Sequence, residues 1–157
     1  MLQTILTAAV AALVAFVFSV SNDLLRERRA FRRRWDRDVY SSTIELLMAA
    51  RQVGHLASTV RRGGSDSADV LARLDDMHRE VRTRCSALLI LADSPLAEAA
   101  LTVQRQVYAV VEVARGGEDP RPGDGTPDER LTRALDALSH RARNQLDLAP
   151  IAGTRLD

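Results

Sequence analysis

The residues able to do chemistry in this sequence are few and far apart. Its three histidines, His55, His78 and His140, fall in three different segments, and its one cysteine is Cys85. The most suggestive spacing is Asp75-Asp76-Met77-His78, where a carboxylate precedes a histidine by one helical turn. Di-iron bundles use that spacing twice, with glutamate in place of aspartate. The second copy is missing here, so no metal centre is expected. His140 falls opposite the Leu131, Leu135 and Leu138 face and His78 at the edge of its own apolar stripe, so the histidines are read as solvated. Cys85 lies within an apolar stripe and reads as a small core residue. A reactive thiol would need an electropositive, exposed setting that only Arg82 or Arg84 could supply. A lone cysteine also excludes an intramolecular disulfide and a multi-cysteine zinc site. Neither a phosphate-binding glycine loop nor a G-x-S-x-G elbow occurs, and the Gly-Gly pairs sit at helix ends, where capping accounts for them. No catalytic, metal-binding or cofactor-binding residue is assigned, no cofactor or small-molecule substrate is expected, and the chain is not read as an enzyme.

The dense chemistry is electrostatic. Seven arginines fall between Arg26 and Arg37, interleaved with Phe31 and Trp35. On a soluble chain such interleaving would suggest nucleic acid. Here the block abuts an apolar stretch, so no nucleic-acid partner is expected. Arg26, Arg28, Arg29, Arg32 and Arg33 are read instead as membrane-surface residues facing anionic headgroups. Each such arginine contributes ~1 kcal/mol near the bilayer, fading within a Debye length of about 8 to 10 Å. The net charge of +1 therefore conceals a basic block and a slightly acidic remainder, and all 22 basic residues are arginine, a composition of GC-rich coding.

Leu2 to Val20 contains no charge, proline or glycine. As a helix it would be about 28 Å long, against a hydrocarbon core of ~30 Å. Ten of these residues are Leu, Ile, Val or Phe. Together they favour insertion by roughly 3 to 6 kcal/mol before Gln3, Thr4, Thr7 and Ser19 subtract a part. The competing reading is a signal peptide cleaved at Ser19-Val20-Ser21. It is weakened by the absence of a basic residue ahead of the apolar stretch, by the length of that stretch, and by the arginines just downstream. Arginines on the C-terminal flank of a first span hold that side in the cytoplasm. The expected location is the cell membrane, single-pass, with the N-terminus outside and the C-terminal domain cytoplasmic. Ala8-x-x-x-Ala12 and Ala11-x-x-x-Ala15 could let two spans approach closely, although alanine abundance is the simpler account.

The elements that must carry these residues are helical throughout. Aromatics are only 4% of the chain, and alternating strand-like runs do not occur. From Asn22 to about Arg62, Phe31, Trp35, Val39, Ser42, Leu46, Ala49, Val53, Leu56 and Val60 recur at helical spacing. Tyr40, Ile44, Leu47 and Met48 make the opposite face apolar as well, which predicts that several neighbours enclose this part. Gly63 suits a left-handed helix end. Helix two is expected over about 68–92, with Val70, Leu74, Met77, Val81, Cys85, Leu88 and Ala92 inward. Ser94 is expected to cap helix three, with Pro95 as its first residue and Leu96, Ala100, Val103, Val107, Val110 and Ala114 inward. Glu118 to Gly125 reads as a mobile polar linker. Thr126-Pro127-Asp128-Glu129 is a capping box opening helix four, which Pro150 is expected to end.

Arg32-Arg33-Arg34-Trp35-Asp36 leading into an apolar helix, followed by the run from Ala87 to Ala100, resembles a pattern in small actinobacterial membrane proteins of uncharacterised role. The resemblance spans Leu2 to Val113 and implies an N-terminal anchor, a basic juxtamembrane helix and a short cytoplasmic helical domain. The reading is thus all-α: a transmembrane helix continuing into a cytoplasmic up-down bundle of about four helices with coiled-coil-like packing. Its parts are an anchor at 1–21, a juxtamembrane helix at 22–38, a bundle at 39–149 with its linker at 116–125, and a tail at 150–157. Helix one, about 60 Å long, outruns helices two and three at ~38 and ~30 Å. Phe31 and Trp35, at its uncovered end, are therefore the candidate contacts for a protein partner or a second copy. The expected function is binding or scaffolding through protein contacts at the cytoplasmic membrane face. The alternative is a holin- or toxin-like effector acting through oligomerisation of the anchor.

Overall fold

A computed structural model describes residues 34–63 and 67–148. The chain divides into two compact units, Met1–Arg37 and Asp38–Asp157. Among the described residues there are four helices and no strand: α1 over 34–61, α2 over Ser67–Leu91, α3 over Ser94–Ala114 and α4 over Pro127–Gln145. None of the helices of the described residues is long and apolar enough to cross a membrane. The anchor expected at 1–21 lies outside the described residues.

Each helix boundary has a local chemical cause. Gly63 ends α1 with φ +73°, its N–H donating to the Val60 carbonyl at 3.0 Å. That left-handed conformation is the one glycine adopts without steric penalty. The α3 start differs from expectation, because Asp93 and not Ser94 is the cap. Its carboxylate accepts from the Leu96 N–H at 2.9 Å, and Ser94 and Pro95 form the first turn. An aspartate satisfies the same orphan donor as a serine and adds a negative charge at the positive end of the helix dipole. Thr126 and Glu129 form the expected capping box, with Thr126 N–H donating to Glu129 Oε2 at 2.8 Å and Glu129 N–H donating to Thr126 Oγ1 at 3.3 Å. The end of α4 departs from the reading too. The helix stops at Gln145, where Asp147 turns left-handed at φ 52° and the Leu148 N–H donates back to the Arg143 carbonyl at 2.9 Å. This 6→1 closure satisfies the last carbonyls without help from a proline; Pro150 lies outside the described residues.

Side-chain pairs fix the topology of the Asp38–Asp157 unit. Glu45 of α1 meets Arg84 of α2, and Asp75 of α2 meets Arg115 of α3. Gln106 of α3 accepts from Arg130 of α4 at 3.1 Å. At the far end of α4, Gln145 accepts from the Asp93 N–H at 3.0 Å and donates to the Leu91 carbonyl at 3.1 Å. Arg61 reaches Asp128 at 2.5 Å, and a Cβ on Gly54 would sit 3.7 Å from Leu131. In every neighbouring pair a residue nearer the start of one helix meets a residue nearer the end of the other, so all neighbours are antiparallel. α4 also returns to α1. The result is an up-down-up-down four-helix bundle, the economical arrangement for amphipathic helices joined by short links.

The core is the sum of the four inner stripes. Leu46 and Val53 from α1, Leu74, Val81, Cys85 and Leu88 from α2, Leu96, Val103, Val107 and Val110 from α3, and Leu138 from α4 are all fully buried. Burying one such Val or Leu contributes about 1.5 to 3 kcal/mol. Thr43, the buried polar residue, donates its hydroxyl to the Val39 carbonyl at 2.8 Å and so leaves no donor unmet.

Candidate functional site

Of the residues singled out for contact, Arg26, Arg28, Arg29, Phe31, Arg32 and Arg33 lie outside the described residues. Trp35 belongs to the Met1–Arg37 unit, at the start of the described part of α1, and is 39% exposed. In the other unit, the strongest candidate contact surface is one the sequence reading had placed in the interior.

Tyr40, Ile44 and Met48 are 54%, 37% and 67% exposed, whereas Leu47, on the same expected inner surface, is buried. The expectation that neighbours enclose this face is therefore overturned for three of its four residues. The cause is the closed ring. α1 packs between α2 on its Glu45 side and α4 on its Gly54 side, so the Val39, Leu46, Val53 stripe and its flanks, Leu47 among them, reach the core. At about 100° per residue, Tyr40, Ile44 and Met48 fall within about 80° of one another and roughly opposite that stripe. They form an apolar row over two turns, continued along the same face by exposed Arg51 and His55.

His78, expected to be solvated, is half-buried, its ring centroid 6.1 Å from that of Tyr108 at a tilt of 39°. Burial, then the positive charges of Arg115 and Arg82, hold its pKa below the ordinary 6.5, outweighing the opposing pull of Asp75 and Glu112. The imidazole is neutral at pH 7, fit to accept or donate a hydrogen bond but not to act as a standing cation. His55 and His140 are exposed, as read from the sequence. Cys85 is fully buried, and burial alone pushes its thiol pKa up, the opposite of what activates a cysteine. Among the described residues no group of three or more histidine, cysteine, aspartate or glutamate side chains could hold a metal ion.

The segment between α3 and α4, read as a mobile linker, is tied to α4 through Arg130 and through Arg133, which donates to the Asp124 carbonyl. Arg130, only 9% exposed, donates to Asp119 Oδ2 at 2.6 Å, to the Gly125 carbonyl at 2.6 Å and to Gln106 Oε1 at 3.1 Å. That hydrogen bond from Arg130 is the main reason the Asp119 carboxyl is held below its usual range. Asp119 in turn accepts from the Arg121 N–H at 3.0 Å, so the linker backbone is fixed at both ends of its Pro-rich middle. The planar five-donor guanidinium is the side chain suited to such divergent pinning. Nothing in the local pattern of a polar, Pro/Gly-rich stretch reports a partner that lies on the following helix.

No protein family, curated protein or solved structure matches this chain.

Proposed function

We infer that this chain is a membrane-anchored helical protein that works through protein contacts at the cytoplasmic face of the membrane. The observation that carries the contact reading is the Tyr40, Ile44, Met48 row, an apolar helix face left outward by a bundle whose core is already complete. Leaving such side chains in water forgoes the burial that every other apolar stripe of the bundle achieves, and contiguous exposed apolar surface marks interaction sites. The charge-free stretch from Leu2 to Val20 and the arginines behind it support the anchor and its orientation. Arg26, Arg28, Arg29, Arg32 and Arg33 would rest against anionic headgroups, and Phe31 and Trp35 would form a second contact.

The occupant of the α1 row is an amphipathic helix of another protein, carrying an acidic residue beside its apolar ones. Arg51 and His55 continue the row, so two copies with parallel α1 helices would set Arg51 against Arg51. An acidic partner would instead neutralise that rim and fix register. The test places a photoreactive residue at Met48 in the full chain and irradiates native membranes. The expected adduct is with a second protein, lost on Arg51→Glu and retained on Arg141→Glu, which changes an exposed arginine of α4. An adduct with a second copy alone, or one indifferent to Arg51→Glu, overturns the assignment.

A further inference from the structure

A recess between α2 and α3 brings three arginines together. It encloses a cavity of about 380 Å³ lined by His78, Arg82, Leu101, Gln104, Arg105, Tyr108 and Arg121. Five arginines of the bundle are matched to carboxylate, Arg61 to Asp128, Arg79 to Asp76, Arg84 to Glu45 and Glu80, Arg115 to Asp75 and Glu112, Arg130 to Asp119, while Arg51, Arg73 and Arg141, outside the recess, form no ion pair among the described residues. Among the described residues the side chains of Arg82, Arg105 and Arg121 form no ion pair. Three guanidiniums, always charged, thus converge from two helices and a loop on one opening. The acids that act on His78, Asp75 and Glu112, already share Arg115, and Asp119 is taken by Arg130.

The geometry points to this recess as a binding site for the phosphate group of a small organic phosphate, with Arg82, Arg105 and Arg121 as its anion ligands. A guanidinium presents paired donors in a fork that matches phosphate oxygens, and a doubly charged anion answers the like-charge repulsion of three neighbouring cations. Arg121 is not a stray loop cation. Its N–H is held by Asp119, and Asp119 by the largely buried Arg130, so the linker presents Arg121 at the mouth of the cavity. His78 adds a neutral ring nitrogen whose protonation an incoming anion would favour.

The remaining lining selects an organic ester over the bare ion. Leu101 and the ring of Tyr108 give an apolar wall and Gln104 a neutral amide. The volume falls near the lower end of the roughly 300 to 1,000 Å³ of small-molecule sites, several times what one anion needs. A nucleic acid would ask for a stripe of charge along a face, whereas these cations meet at one recess.

The full chain in neutral detergent would be titrated calorimetrically, at constant ionic strength, with phenyl phosphate, glycerol phosphate and inorganic pyrophosphate. Saturable binding of the organic phosphates is expected, weakened about tenfold or more by Arg105→Ala and by Arg121→Ala and unaffected by Arg141→Ala. All three positions are exposed, and circular dichroism of each variant would verify that the bundle persists. Preference for phenyl over glycerol phosphate, abolished by Tyr108→Ala, assigns an aromatic phosphate. Equal affinity for both esters assigns a phosphate of the kind carried on lipid headgroups. Absence of saturation at millimolar ligand, tighter binding of pyrophosphate than of either ester, or equal weakening by Arg141→Ala overturns the proposal.

Discussion

Replacing Leu46 and Met48 separately tests whether α1 has one buried face or two. Leu46 is wholly buried in the middle of α1, among side chains from the other helices, whereas Met48, two residues on, is 67% exposed. Leu46→Ala removes a fully buried side chain and leaves a cavity that neighbours on three helices cannot jointly fill, a change that costs about 2 to 5 kcal/mol. In a bundle of roughly 110 residues each kcal/mol moves the melting temperature by about 3 to 6 °C, so a fall of about 10 to 20 °C is expected. Met48→Ser forfeits only the covered third of a side chain whose full burial is worth about 1.5 to 3 kcal/mol. That is about 0.5 to 1 kcal/mol, or a few degrees. The assay is thermal denaturation of the full chain in detergent, followed by far-ultraviolet circular dichroism. Comparable shifts for the two variants would mean that the Tyr40, Ile44, Met48 face is packed in the native protein, and the exposed row would have to be abandoned as a contact surface.

Arg130→Met should keep the bundle helical while freeing Asp119 and Gly125, so amide exchange over 118–125 should accelerate by about tenfold; unchanged exchange would show that the linker is fixed without this side chain. His78 yields a pH dependence whose sign follows from its depressed folded pKa. Against an unfolded value of 6.5, the folded state binds fewer protons. Its contribution is therefore complete above about pH 6.5 and lost as pH falls through the folded value. His78→Gln should flatten the decline in denaturation midpoint between about pH 7.5 and 5, and an undiminished slope would assign that decline to the carboxylates.

What was legible in the sequence depended on how far each signal reaches along the chain. The capping box Thr126-Glu129 and the left-handed Gly63 are contacts within one turn, and each appears as read. The inner stripes of α3 and α4 were equally plain, since Leu96 to Ala114 and Leu131 to Ala142 alternate apolar and polar residues at the helical period. Ser94 is read as the cap, but Asp93, an equally good cap one residue earlier, takes the position, and only the backbone shows that it carries the extended φ, ψ of −68° and 169°. Pro150 looked like a stop because proline cannot continue a helix, but Asp147 had already ended this one by turning left-handed. Aspartate is among the few residues that enter that region at small cost.

The misplaced face of α1 follows from counting apolar residues without counting neighbours. A helix with two apolar faces buries both only when partners stand on both sides, and four helices in an antiparallel ring give each member two flanking neighbours and one core. Tyr40, Ile44 and Met48 are therefore surplus to the fold, which is why they bear on function. The arginines of the α2–α3 recess escaped notice for the complementary reason. Arg82, Arg105 and Arg121 stand in three separate segments, each unremarkable in a chain where all the basic residues are arginine. Only the antiparallel register set by Asp75 with Arg115, together with the linker held by Arg130, brings the three together. In both places side chains stay unsatisfied among the described residues, an apolar row in one and a knot of cations in the other. The proposed partner answers each by opposite chemistry: an acidic amphipathic helix for α1, an organic phosphate for the recess.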